Sequence, residues 1–203
     1  MEPTQKETYR IAAEQIVRDS IAVKEALLQG GMELVVDMAE MIVEAFRGKR
    51  RLFLFGNGGS AADAQHLAAE FVNRFQMERP PLPALALTVD TSILTSISND
   101  YAFEDIFLKQ LQALAHEGDV ALGISTSGRS PNVVKALRWA REHNLRTIGW
   151  AGAAEGDMDL YGDLMLHVPS RNTARIQESH ITVGHVLCGL VDDMLYGDME
   201  KRS

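Results

Sequence analysis

The sequence predicts an α/β fold, a five-stranded parallel sheet flanked by helices, behind a helical N-terminal segment of about residues 5–48. Two observations lead there. Before Arg51 the apolar residues recur at helical spacing. From Arg51 onward, short apolar runs end in Gly, Ser or Asp and give way to helical stretches. Those runs are continuously hydrophobic rather than alternating, as strands are when both faces are covered.

In chain order, Ile11, Ile16, Ile21 and Val23 mark a first helix, and Leu34, Val35, Met38, Met41 and Ile42 a second. Gly30-Gly31 divides them. The strand candidates are Leu52–Phe55, Ala84–Val89, Val120–Ile124, Thr147–Trp150 and Leu164–Val168, and a last helix is expected from Thr173 to Tyr196. No internal repeat, low-complexity tract or long linker interrupts the 203 residues, so a single domain over 1–203 is expected.

Twenty Lys and Arg stand against 28 Asp and Glu, a net charge of −8. That balance argues against nucleic acid or anionic lipid as a partner and leaves room for a local anion site. The start is polar, and no apolar run approaches the ~18 residues a membrane span requires, so a cytoplasmic protein without membrane contact is expected. Cys188 is the single cysteine, so any metal site must use His, carboxylate or amide ligands.

In parallel α/β folds ligands bind beyond the carboxyl ends of the strands. After the first run comes Gly56-Asn57-Gly58-Gly59-Ser60 and then a helix. Glycines there permit a sharp turn and close backbone approach, and free N–H groups at the helix start can hold an anion. Gly56, Gly58 and Ala61 also match the relaxed dinucleotide pattern, but Asp90 lies well beyond the ~20-residue spacing that pattern requires. His66 and Glu70 share one helix face, with Arg74 one turn further along.

After the third run come Ser125-Thr126-Ser127-Gly128-Arg129-Ser130-Pro131. Ser130 and Pro131 suit the N-cap and first position of a helix. Hydroxyls in such density are more than a cap requires and suit the oxygens of a phosphate on a small molecule. The last helix carries Gln177, Glu178, His180 and His185, and at ~100° per residue spacing alone does not choose between the two histidines. His116, His143 and His167 read as structural or surface residues.

The Gly56–Ser60 loop, His66-x-x-x-Glu70, Asn99-Asp100, Ser125-Thr126-Ser127-Gly128-x-Ser130 and Arg175-Ile176-Gln177-Glu178 together resemble one family. It is the sugar isomerase (SIS) fold and, within it, the phosphoheptose isomerases. The likeness runs from the N-terminal helices to the last helix. The two loops mark a phosphosugar-binding SIS domain, and the combination of His66, Glu70, Gln177 and His185 is the more specific feature.

The resemblance implies isomerisation of sedoheptulose 7-phosphate to D-glycero-D-manno-heptose 7-phosphate through an enediol. That is the first step of ADP- or GDP-heptose synthesis for lipopolysaccharide core or related glycans. It further implies a cytoplasmic homotetramer, an expectation that nine Met and long apolar helix faces at both ends support. Zinc, one per subunit, would be held by His66, Glu70, Gln177 and His185. Glu70 would be the base and His185 its partner. Substrate would be held by Asn57, Gly58, Gly59, Ser60, Glu70, Arg74, Asn99, Asp100, Ser125, Thr126, Ser127, Ser130 and Gln177. The alternative is a non-enzymatic SIS relative that binds the replication initiator DnaA; that branch lacks counterparts of Glu70 and His185, which this chain has. Two departures stand out: Ala174 where many isomerases carry Asp, and Trp150–Ala154 in place of a Thr-Gly-Lys-Asp-Gly-like loop.

Overall fold

A computed structural model describes the backbone of residues 4–200 and the side chains of 4–197. Strand β1 (Leu52–Gly56) is an interior strand of the sheet, every residue of it buried. Alternate residues of a strand point to opposite faces, so Leu52 and Leu54 enter one core and Phe53 and Phe55 the other. The first core lies against α2 (Met32–Arg47), α3 (Gly59–Val72) and α7 (Thr173–Glu200). The second lies against α4 (Thr91–Asp100), α5 (Ile106–Leu114) and α6 (Pro131–Glu142).

The remaining strands are β2 (Ala84–Ala86), β3 (Val120–Ile124), β4 (Arg146–Ala151) and β5 (Leu164–His167). All pair in parallel, in the order β2-β1-β3-β4-β5. The chain leaves β1 toward one edge and then returns to β3 and proceeds toward the other. The strand order therefore reverses between β1 and β3, and a crevice opens at their carboxyl ends.

The first helix, α1 (Gln5–Leu28), buries little of its apolar stripe within its own chain. Within this chain only Leu27 of α1 is buried, and Ile11, Ile16 and Ile21 are about half exposed. The second predicted strand is also shorter than its apolar run. Leu87 still bonds to β1 through its N–H on Leu54 O, at 2.9 Å, but Asp90 then caps α4 by accepting from Ile93 N at 2.9 Å, and the chain turns away. The last helix continues past Tyr196 to Glu200.

Candidate active site

Gly56 and Ile124 are register partners at the ends of β1 and β3, so the glycine loop and the serine loop leave the sheet side by side. A Cβ on Gly56 would lie 2.8 Å from Ile124 O and from Ser60 Cβ, which is why the turn there is a glycine. Gly58 takes φ +57 as the N-cap of α3. The first turns of α3 and α6 present N–H groups without intrahelical partners at this end of the sheet.

In the second loop the Ser125 and Ser130 Oγ atoms are 2.8 Å apart, and Ser125 and Ser127 Oγ 3.3 Å apart. Ser127 Oγ accepts from Arg129 N at 3.2 Å. Ser130 occupies the N-cap position, but its side chain makes no cap hydrogen bond; it faces Ser125 instead. Its hydroxyl thus belongs to the serine cluster. Asn57 ties the loops together: its amide and that of Asn132, on α6, donate to each other at 2.8 and 2.9 Å. Asn132 is buried and was not singled out from the sequence, although it follows the serine loop directly and is the second residue of α6.

Gln177, in the first turns of α7, packs against Gly59 so closely that a Cβ there would fall 2.9 Å from its Cδ and nearer still to Nε2. Beside this junction, a cavity of about 230 Å³ is lined by Thr126, Ser127, Arg129, Ala153, Ala154 and Arg171 among others. Two of the departing residues, Ala153 and Ala154, therefore form its wall, while Trp150 is wholly buried in the core. Ala174 is exposed, with its N–H on Asn172 Oδ1 at 3.0 Å.

One face of α3 meets α7 at the second half of the site. His66 Nε2 lies 2.8 Å from His185 Nε2 and 3.4 Å from Glu70 Oε1. His185 stacks on Phe75, ring centroids 5.5 Å apart at 16°. A hydrogen bond between two Nε2 atoms requires a proton on one and a lone pair on the other, so the two rings take opposite roles at this contact. His180 is elsewhere. It is completely buried, its Nε2 donates to Ala151 O at 3.2 Å, and burial pushes its pKa down to about 4. Asp63, also absent from the sequence reading, stands one turn before His66 with a buried, unpartnered Oδ2; burial raises its carboxyl to about 6 against the pull of His66.

Three expected residues are not gathered here. Arg74 pairs with Glu78 at 2.7 Å on the surface, and Asn99 donates to Asp100 at 2.8 Å at the exposed end of α4. In donor chemistry His66, Glu70, Gln177 and His185 fit zinc: two imidazoles, a carboxylate and an amide. In geometry they are not a preformed cage. Two nitrogens on tetrahedral zinc lie about 3.3 Å apart for bonds of ~2.05 Å, wider than the 2.8 Å seen between the imidazoles. Among the described residues no three His, Cys, Asp or Glu side chains are arranged as a metal cluster.

The fold is a doubly wound sheet with two hydroxyl- and glycine-rich loops at its switch point, and residues 15–152 match the SIS domain family. The phosphoheptose isomerase of Nitratidesulfovibrio vulgaris strain Hildenborough is 53% identical over 191 residues, 94% of this chain and 91% of that one. That of Aquifex aeolicus is 51% identical over 181 residues, 89% and 95% of the two chains. Among solved structures, the phosphoheptose isomerase of Neisseria gonorrhoeae superimposes with a TM-score of 0.85 at 41% identity, covering 92% of this chain and 98% of its own. The chain belongs to the SIS-domain family and, within it, to the phosphoheptose isomerases, which are aldose–ketose isomerases.

Proposed function

We propose that this chain converts sedoheptulose 7-phosphate to D-glycero-D-manno-heptose 7-phosphate, the entry step to a nucleotide-activated heptose. The observation that carries the reading is the His66–Glu70–His185 cluster, set across α3, which begins at the glycine loop, and α7, whose Gln177 packs on that loop. Glu70 removes a proton from C1 of the ketose. His185 gives a proton to the C2 carbonyl oxygen, forming the enediol, and then takes the C1 hydroxyl proton as the enediol collapses to the C1 aldehyde. Glu70 returns its proton to C2, so the sum is an isomerisation with no net proton change. Asn57, Gly58, Gly59 and Ser60, with Ser125, Thr126, Ser127 and Ser130, hold the phosphate and sugar oxygens, and Gln177 orients the reacting end. His66, Glu70, Gln177 and His185 would hold a zinc ion, which would supply Lewis acidity toward the sugar's oxygens.

A cytoplasmic homotetramer belongs to the same proposal. Two features support it: the exposed apolar stripe on α1, and the exposure of Arg74, Asn99 and Asp100, which pair with Glu78 and with each other and stay open to a neighbouring subunit. The experiment is incubation of metal-supplemented protein with sedoheptulose 7-phosphate, with metal content measured in the same preparation. Appearance of the aldose supports the reading. No product from folded, metal-replete protein refutes it, and binding to DnaA would then be assayed.

A further inference from the structure

Outside the site, the most completely buried ion pair among the described residues joins Arg79, in the loop between α3 and β2, to Asp192 on α7. The side chains are 0% and 3% exposed. Arg79 Nε donates to Asp192 Oδ1 at 2.8 Å, Nη2 to Glu70 O at 2.8 Å, and Nη1 to Phe71 O at 2.7 Å. Nη1 also lies 3.2 Å from Asn73 O and 3.3 Å from Pro80 O. The guanidinium fork is thus spent on the carbonyls that end α3 and on one carboxylate across the helix pair.

Burying such a pair is weak support for stability, because desolvation offsets the attraction, and Asp192 Oδ2 is left without a partner. What the pair specifies is position. Glu70 sits in the last turns of α3, held through its own backbone carbonyl. Asp192 follows His185 on α7 by seven residues, which at ~100° per residue returns to within ~20° of the same helix face. Gly184 lets α7 and α3 approach closely: a Cβ there would lie 2.6 Å from Leu67 Cδ2.

We propose that Arg79 is a positioning residue of the isomerase, fixing the end of α3 that carries Glu70 against the face of α7 that carries His185. The proposal rests on the reading of Glu70 and His185 as the acid/base pair. Arg79→Lys keeps the charge and the link to Asp192 but cannot reach the carbonyls of both Glu70 and Phe71. A displacement of the base by a fraction of an ångström to 1 Å lowers the chemical step by about 10- to 100-fold. The phosphate loops, at the ends of β1 and β3, are untouched.

The test is steady-state kinetics with sedoheptulose 7-phosphate on wild type, Arg79→Lys, Glu70→Gln and the double variant, each checked for fold by circular dichroism. The expected result is a kcat at least ~10-fold lower in Arg79→Lys with KM within about two-fold, and no further loss when the change is added to Glu70→Gln. A folded Arg79→Lys with wild-type kcat overturns the proposal, as does an equal additional loss in the Glu70→Gln background. If Arg79→Lys does not fold, Asp192→Asn, which keeps an oxygen toward Nε, is judged by the same criteria. Loss of fold in both assigns the pair to stability and also overturns the positioning role. An inactive wild type is a separate outcome: it removes the isomerase reading and this proposal with it.

Discussion

Gly59→Ala is a small change whose effect is set by one contact. Gly59 is the first residue of α3 and has an ordinary negative φ, so alanine meets no backbone strain there. Helix propensity favours alanine by at most about 1 kcal/mol. The added methyl would stand 2.9 Å from Gln177 Cδ and 3.1 Å from Oε1, with Nε2 closer. Ordinary contact needs about 3.5 Å, so the amide must retreat by about 0.6–1 Å. The clashing atoms are the end of a partly exposed, flexible side chain, which can swing aside, so stability should stay within about 1 kcal/mol of wild type. Function should not, because in the proposed reaction Gln177 orients the reacting end of the sugar. A misplacement near 1 Å costs up to about 100-fold, and kcat/KM for sedoheptulose 7-phosphate should fall about 10- to 100-fold, or about 1.4–2.7 kcal/mol of transition-state binding. Aldose formation and thermal denaturation are measured together. Wild-type kcat/KM would refute the placement of Gln177, and a loss of several kcal/mol in stability would show that the backbone yields rather than the side chain.

Ser130→Ala removes the 2.8 Å contact with Ser125 Oγ but no helix cap, so KM should rise about ten-fold while the unfolding free energy changes by about 1 kcal/mol or less; a large stability loss in chemical denaturation would restore the capping role. His180→Gln tests the buried imidazole. The folded-state pKa is about 4 against an ordinary 6.5, so neutral His180 contributes stability that is complete above pH 6.5 and lost as pH falls toward 4. At about 1.4 kcal/mol per pH unit the loss is about 3 kcal/mol, and denaturant melts from pH 7 to 4 should show a shallower fall in the variant than in wild type. Parallel curves would contradict the burial argument.

The parts of the fold that local pattern determines were legible. Val120–Ile124 is bounded by Asp119 and Ser125, and the strand occupies those residues. Ala84–Val89 was read too long, because a run of apolar residues does not reveal where pairing ends and the approach to the Asp90 cap begins. The isoleucines of α1 announced an apolar face, but periodicity does not say what covers it. In the site, His66 and Glu70 are readable as helix neighbours. Spacing leaves His180 and His185 open because they lie about 60° and 80° from Gln177 around the helix; only the tertiary structure puts one against Ala151 and the other against His66. The Asn57–Asn132 pair spans 75 positions and the Arg79–Asp192 pair 113, and neither leaves a local signature.

The most direct test of the central claim is solvent exchange at the carbon next to the carbonyl. Metal-replete protein is incubated with sedoheptulose 7-phosphate in D2O, and deuterium incorporation is followed by NMR beside aldose formation. Wild type should incorporate deuterium at the reacting carbons, and Glu70→Gln, with its metal content matched, should slow both exchange and isomerisation by about 10²–10⁴-fold. Equal exchange by wild type and Glu70→Gln, or no exchange and no aldose from wild type, would contradict the assignment of Glu70 as the base of an isomerase.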